Sequence, residues 1–71
     1  MPDKKNVIPR KCNRIRGRML IRTNASEPGD LFDVNKDDYG YHGLNLRTDT
    51  YYSFFVDMLR NGNVFEVLEI V

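Results

Sequence analysis

The chain has 71 residues, with eleven Lys or Arg, ten Asp or Glu, one cysteine and a formal net charge of +1. A chain this short forms one small domain with a marginal core, because it buries only about 60% of the surface that its unfolded form exposes. The single cysteine, Cys12, excludes an intramolecular disulfide and any zinc site built from several cysteines. A partner or a homo-oligomer is therefore favoured as a further source of stability.

The first residues, MPDKKNVIPRKC, lack the apolar stretch of a signal peptide. No run in the chain approaches the roughly 18 apolar residues of a membrane span. We therefore expect a cytoplasmic protein, with a nuclear location as the alternative. Residues 1–12 are polar, contain two prolines and show no apolar period, which predicts a flexible basic arm ahead of a single domain over residues 13–71.

Positive charge is concentrated at the start of the chain. Residues 1–22 hold eight Lys or Arg against one acid, a net charge of +7, whereas residues 23–71 hold three against nine acids, a net charge of −6. This segregation predicts a basic arm on a mildly acidic body. The alternative is that the two regions pair with each other in the fold, although surface ion pairs contribute little.

The stretch NRIRGRMLIR, residues 13–22, alternates with a period of two. Ile15, Met19 and Ile21 share one face and the arginines occupy the other, which predicts a half-buried strand. Gly17 falls on the apolar face. Successive residues of one face lie about 6.6 Å apart, so the arginines are expected to form a row that meets successive phosphates. The predicted nucleic-acid-binding residues are Lys4, Lys5, Arg10, Lys11, Arg14, Arg16, Arg18 and Arg22.

Three short strands and one helix are predicted further along. Residues 31–34, LFDV, and residues 39–47, YGYHGLNLR, are typical of strands. The stretch TDTYYSFFVDMLRNG has the aromatic content of a strand but a helical spacing of apolar residues, which predicts a helix over about 50–60. Residues 64–71, VFEVLEIV, are predicted to form a closing strand, with a helical extension as the alternative. The helical spacing is that of Tyr51, Phe54, Phe55, Met58 and Leu59.

These elements together predict a small α+β domain. We expect a strongly twisted antiparallel sheet or SH3-like partial barrel, with one helix packed on it and a basic N-terminal arm. An all-β SH3-like barrel without the long helix is the alternative. Through the order of its short strands, the PGDLFDV turn and strand and the closing VFEVLEIV, the chain is similar over roughly residues 18–71 to small SH3-like phage and bacterial proteins. The similarity includes no diagnostic motif.

Motifs for catalysis or metal binding are incomplete. Residues 33–44 begin like a calcium loop, but Asp38 replaces the required Gly and Leu44 replaces the bidentate Glu. His42, the only histidine, has no second histidine or cysteine nearby in the sequence to share a metal, and no motif places a nucleophile or an acid beside it. Cys12 lies among cations in the sequence, so a reactive thiol is the alternative, and an idle exposed thiol is favoured. We predict no enzyme, no cofactor and no metal.

Binding surfaces remain as the basis for a function. We predict a non-catalytic binding or regulatory protein that docks on a larger nucleic-acid-handling assembly and contacts RNA or DNA phosphates through the arm and the arginine row. The alternative is a phage-type small inhibitor or adaptor that acts by protein–protein binding, with an acidic face occluding a basic groove of its target. The residues predicted for that face are Asp30, Asp33, Asp37, Asp38, Tyr39 and Tyr41.

Overall fold

The computed structural model describes residues 5–71, which form a small, mostly-β protein. Its sheet has five antiparallel strands and is open, and one short helix precedes the last strand. Within residues 5–71, no helix has the length and apolar character needed to cross a membrane. The elements are β1 (Arg14–Met19), β2 (Leu31–Asp37), β3 (Gly40–Asn45), β4 (Thr50–Phe54), α1 (Val56–Arg60) and β5 (Phe65–Ile70).

The strands lie in the order β4-β3-β2-β1-β5. Each of the first three strands pairs with the next one along the chain, and β5 returns to pair with β1. The register of β1 against β5 shifts between Arg16 and Gly17, as at a β-bulge. β1 therefore has a partner on both sides, whereas β4 and β5 form the two edges of the sheet.

The predicted strand at the start of the domain is confirmed. β1 buries Ile15, Gly17 and Met19 on one face and leaves its arginines on the other. Ile21, predicted on the buried face, lies beyond the end of β1 and is exposed. β1 ends at Met19, whose carbonyl accepts the N–H of Gly29 at 2.7 Å.

The sheet is strongly curled around its core. Phe54 of β4 and Phe65 of β5 belong to opposite edges, yet their ring centroids are 5.5 Å apart in an edge-to-face arrangement. The edge strands of a flat five-stranded sheet would lie about 19 Å apart. Curling brings the two rings together, and Phe32 from the central strand β2 completes the cluster at 5.2 Å from Phe54.

The helix predicted over 50–60 is wrong in its first half. Residues 50–54 form β4, and only Val56–Arg60 are helical. The turn over residues 46–49, in which Asp49 has a positive φ of 59°, reverses the chain so that β4 pairs with β3. Pairing with β3 gives the backbone of the aromatic segment its hydrogen bonds as a strand. The helix α1 then places Leu59 in the core.

The segment before β1 lies against the sheet. Asn6 donates its backbone N–H to the Arg60 carbonyl at 2.8 Å, and its side-chain amide donates to the Leu59 and Phe65 carbonyls. Cys12 is buried, which corrects the expectation of an exposed thiol. The division into an arm over 1–12 and a domain over 13–71 stays a prediction. Lys4, predicted to bind nucleic acid, lies outside the described residues.

Candidate binding surfaces

The face of the sheet opposite the core, here the outer face, carries the arginine row. Arg14, Arg16 and Arg18 project from alternate positions of β1, as predicted. The neighbouring strands place acids directly opposite, because Arg16 is in register with Asp33 of β2 and with Glu69 of β5. The row therefore lies between two strands that supply carboxylates.

Each arginine of the row contacts one of these carboxylates. Arg14 makes a two-pronged contact with Asp33, with Nε to Oδ1 at 2.9 Å and Nη2 to Oδ2 at 2.6 Å. These hydrogen bonds raise the pKa of Arg14 and lower the pKa of Asp33. The other two pairs are Arg18 with Glu66 at 3.0 Å and Arg16 with Glu69 at 3.9 Å.

In the structure, the arginines of β1 are paired with carboxylates of the same sheet and do not form a free basic row. Three arginines face three carboxylates on the outer face, so their charges cancel locally. Arg22, beyond the strand, is likewise 2.8 Å from Glu27. A phosphate that reached this surface would have to displace a carboxylate first, which removes most of the attraction expected from the arginine row.

Other cations have no such partner. Within residues 5–71, five cations have no carboxylate oxygen within 4.0 Å. All five are exposed. The Arg60 carbonyl accepts the N–H of Asn6 at 2.8 Å and the Asn13 carbonyl accepts the N–H of Lys36 at 2.9 Å, so both residues border the segment before β1 that carries the other three. We name this set the N-terminal cation cluster. Its members are Lys5, Arg10, Lys11, Lys36 and Arg60.

Asp30 belongs to a buried polar network and not to an exposed acidic face. Only 6% of Asp30 is exposed. Arg47 donates to both of its carboxylate oxygens, at 2.6 and 2.8 Å, and the Glu27 N–H and the Asn45 amide donate as well. These bonds, that of Arg47 foremost, hold the pKa of Asp30 far below its usual range. Tyr41 is also buried, so neither side chain is available on a surface.

Three of the four remaining predicted protein-binding residues lie at one hairpin tip. Asp37, Asp38 and Tyr39 lie where β2 turns into β3, and Tyr39 is 91% exposed. Asp37 accepts the backbone N–H of Tyr39 at 2.7 Å, which fixes the shape of the turn. Asp33 is separated from this tip by its position on the outer face beside Arg14.

A contact between His42 and Ser53 was missed by the sequence reasoning. The two residues are cross-strand partners on β3 and β4, with Ser53 Oγ 3.3 Å from His42 Nδ1, and Asp37 Oδ1 is 3.3 Å from His42 Nε2. The order acid, histidine, hydroxyl resembles a nucleophilic triad, but these side chains lie on the solvent-exposed outer face, where water reaches them. The register would have revealed the contact only if 50–54 had been predicted as a strand.

The structure thus separates the predicted nucleic-acid-binding residues into two groups. The β1 arginines and Arg22 are paired with carboxylates, and Lys5, Arg10 and Lys11 are not paired within residues 5–71. In the same described range, no group of three or more His, Cys, Asp or Glu is placed to hold a metal ion. No protein-family model, curated protein or solved structure matches the chain.

Proposed function

We propose that this chain is a non-catalytic binding domain that docks on a larger nucleic-acid-handling assembly in the cytoplasm and contacts RNA or DNA phosphates. The contacts come from the N-terminal cation cluster and not from the arginine row. One observation supports this assignment above all. The cluster is exposed and has no carboxylate within 4.0 Å in residues 5–71, whereas the arginines of β1 all have one.

The anchoring of the N-terminal segment strengthens the proposal. Asn6 holds one end through three hydrogen bonds and the buried Cys12 holds the other. Cations on an anchored segment lose less conformational entropy on binding than cations on a free arm. From Lys5 to Lys11 the backbone spans at most about 21 Å. That length faces several phosphates of one strand, which are spaced about 3.4 Å apart along a duplex axis.

We infer in addition that the sheet is an SH3-like open barrel. The return of β5 to β1, the position of α1 between β4 and β5, and the contact of Phe54 with Phe65 across the core all support this architecture. In such a barrel the N-terminal segment crosses near the open side, where Asn6 bonds to α1 and β5. The proposed phosphate contacts therefore lie away from the neutral outer face.

The test is the salt dependence of binding to labelled single-stranded RNA and DNA of about 20 nucleotides, measured by fluorescence anisotropy. Three phosphate contacts predict that log Kobs falls with log salt with a slope of about −2. The triple variant Lys5→Ala, Arg10→Ala, Lys11→Ala should remove most of this slope and weaken binding to both probes alike.

A matched control changes the net charge by the same amount. The triple variant Arg16→Ala, Arg18→Ala, Arg22→Ala removes three cations that are paired with carboxylates, so the slope should change by less than about 0.5. An affinity that does not depend on salt would refute the proposal. If the slope of log Kobs against log salt is lost in the control variant and kept in the N-terminal variant, the phosphate contacts are made by the arginine row.

The hairpin tip supports a second candidate, a protein-binding inhibitor or adaptor. Tyr39 projects almost fully into solvent beside Asp38, and exposed tyrosines are frequent anchors in protein interfaces. Under this alternative, affinity capture recovers a protein partner after nuclease treatment. Tyr39→Ala with Asp38→Lys abolishes that recovery, and the N-terminal triple variant retains it. Recovery that depends on nucleic acid supports the first candidate instead.

A further inference from the structure

Strand β4 is an edge of the sheet that carries no charge, proline or bulge. It pairs with β3 on one side, and within residues 5–71 no strand lies on its other side. The segment TYYSFFV, residues 50–56, contains no charged residue and no proline. Charges, prolines and bulges are the usual means by which edge strands avoid pairing with other chains. β4 therefore presents an open template for another strand.

The opposite edge of the same sheet is protected by several of these means. β5 carries Glu66 and Glu69, and its register against β1 is interrupted by the bulge. The Asn6 side-chain amide also donates a hydrogen bond to the Phe65 carbonyl at 2.7 Å, so that carbonyl is not free to pair with another strand. The contrast between the two edges indicates that the lack of protection on β4 is a particular feature of that strand.

The ladder fixes which backbone groups of β4 face outward. Lys36 of β2 donates its backbone N–H to the carbonyl of Asn13, which directly precedes β1. The backbone groups of Lys36 therefore point towards β1 and away from Tyr41, its partner on β3. Bonded and non-bonded pairs alternate in an antiparallel ladder, so Tyr41 instead bonds its β4 partner Phe54. The backbone groups of Ser53, the adjacent residue, then point away from β3, and the same alternation applies to Tyr51.

We propose that β4 pairs in antiparallel fashion with β4 of a second copy of this chain, about a two-fold axis at Ser53. In this register Tyr51 of each copy lies opposite Phe55 of the other copy, so the contact occurs twice. Both residues are exposed, at 73% and 77%. Phe55 follows β4 with an extended backbone, φ −77° and ψ 143°, and its carbonyl accepts the Met58 N–H of α1 at 3.0 Å, so only its N–H remains for pairing. Opposed aromatic side chains on one face of such a pair attract each other.

A second copy fits this edge because the edge is neutral and self-complementary. A two-fold axis brings each residue against the same segment of the other chain, so any charge on β4 would meet its like. Residues 50–56 have none, and the small Ser53 occupies the axis. The paired stretch is short, since α1 begins at Val56, so the dimer is a weak one. It also buries part of the exposed apolar surface of Tyr51 and Phe55 on the outer face.

Sedimentation velocity over about 10 μM to 1 mM tests the proposal, since weak interfaces have dissociation constants in this range. The wild-type chain should pass from monomer to dimer. Ser53→Lys places two ammonium groups at the axis and should raise the dissociation constant at least about tenfold, and Ser53→Glu should do the same. An equimolar mixture of the two variants should dimerise again, because opposite charges then meet at the axis. Circular dichroism confirms that each variant is folded.

The matched control is Leu68→Lys, which adds a lysine at a half-exposed position of β5 and should leave the dissociation constant within about twofold. A wild-type chain that stays monomeric at 1 mM overturns the proposal. So does a dimer that is insensitive to Ser53→Lys, or one that Leu68→Lys dissociates. A mixture of the Lys and Glu variants that stays monomeric rules out the two-fold pairing at Ser53.

Discussion

Gly17 offers a sharp test of the packing between β1 and β5. It lies on the buried face of β1, where the Phe65 ring covers it. A Cβ at this position would lie within 3.0 Å of both the Phe65 ring and the Glu66 carbonyl. Carbon atoms in favourable contact are about 3.5–4.0 Å apart. Gly17→Ala therefore inserts a methyl group into space that is already occupied.

The sign of the effect depends on this contact. With free space beside it, a glycine in a strand gains roughly 0.5–1 kcal/mol of stability on replacement by alanine, because the unfolded chain loses freedom. Overpacking a core costs about 1–3 kcal/mol. Phe65 is 0% exposed and the Glu66 carbonyl belongs to the backbone of β5, so neither moves easily. We expect a net loss of about 2 kcal/mol, from a total of roughly 4–10 kcal/mol for a domain of this size.

Urea unfolding followed by circular dichroism measures the change. With a slope of about 1 kcal/mol per M, the midpoint of Gly17→Ala should fall by about 2 M. Arg16→Ala, on the exposed face of the same strand, should shift the unfolding free energy by no more than about 0.5 kcal/mol. In a Phe65→Leu background, the cost of Gly17→Ala should shrink by about 1 kcal/mol, since the ring is gone. A midpoint at or above that of the wild type would refute the packing.

Two further predictions concern the aspartate–arginine pairs and the buried cysteine. The pKa of Asp30 and that of Asp33 are lowered in the folded state by their arginine partners, so the stability they confer is present above their ordinary pKa of 3.8 and is lost as the pH falls towards the folded values. The thermal midpoint should therefore drop below about pH 4, less steeply in Asp30→Asn, and a midpoint that stays flat to about pH 2 would contradict this. Cys12 is buried and its thiol lies 3.3 Å from the Arg14 carbonyl, so a disulfide reagent should modify it slowly in the folded protein and rapidly in urea. Rapid modification without denaturant would show that the segment before β1 is not packed.

The strand at β1 was predictable because its signal is local. Alternation of Ile15 and Met19 with arginines needs only one buried face, and the structure shows that face. The carboxylates that pair with the arginines were not predictable. Asp33 and Glu69 reach β1 from strands that are distant in sequence, and no local pattern gives the register that places them opposite Arg16. The sequence therefore overstated the free positive charge of the row.

The helix prediction failed because two elements contribute to one apparent period. Phe54 points into the core from β4, and Leu59 does so from α1. Counted as one segment, the apolar residues follow the helical spacing, although the chain changes from strand to helix at Phe55. The aromatic content of residues 50–54 was the better guide, since pairing with β3 decided the outcome.

The position of a strand at the edge or the centre of a sheet is a property of topology, and at β4 the charge pattern runs against the usual one. The central strand β2 carries Asp33, Lys36 and Asp37, whereas the edge strand β4 carries no charge. Sheets that remain monomeric place their charges at the edges, where they discourage pairing with other chains. Asp33 has a reason to be central, because it binds Arg14 of the next strand. In the proposed dimer, in which Ser53 lies on a two-fold axis, β4 is no longer an edge, and that gives its neutrality a comparable reason.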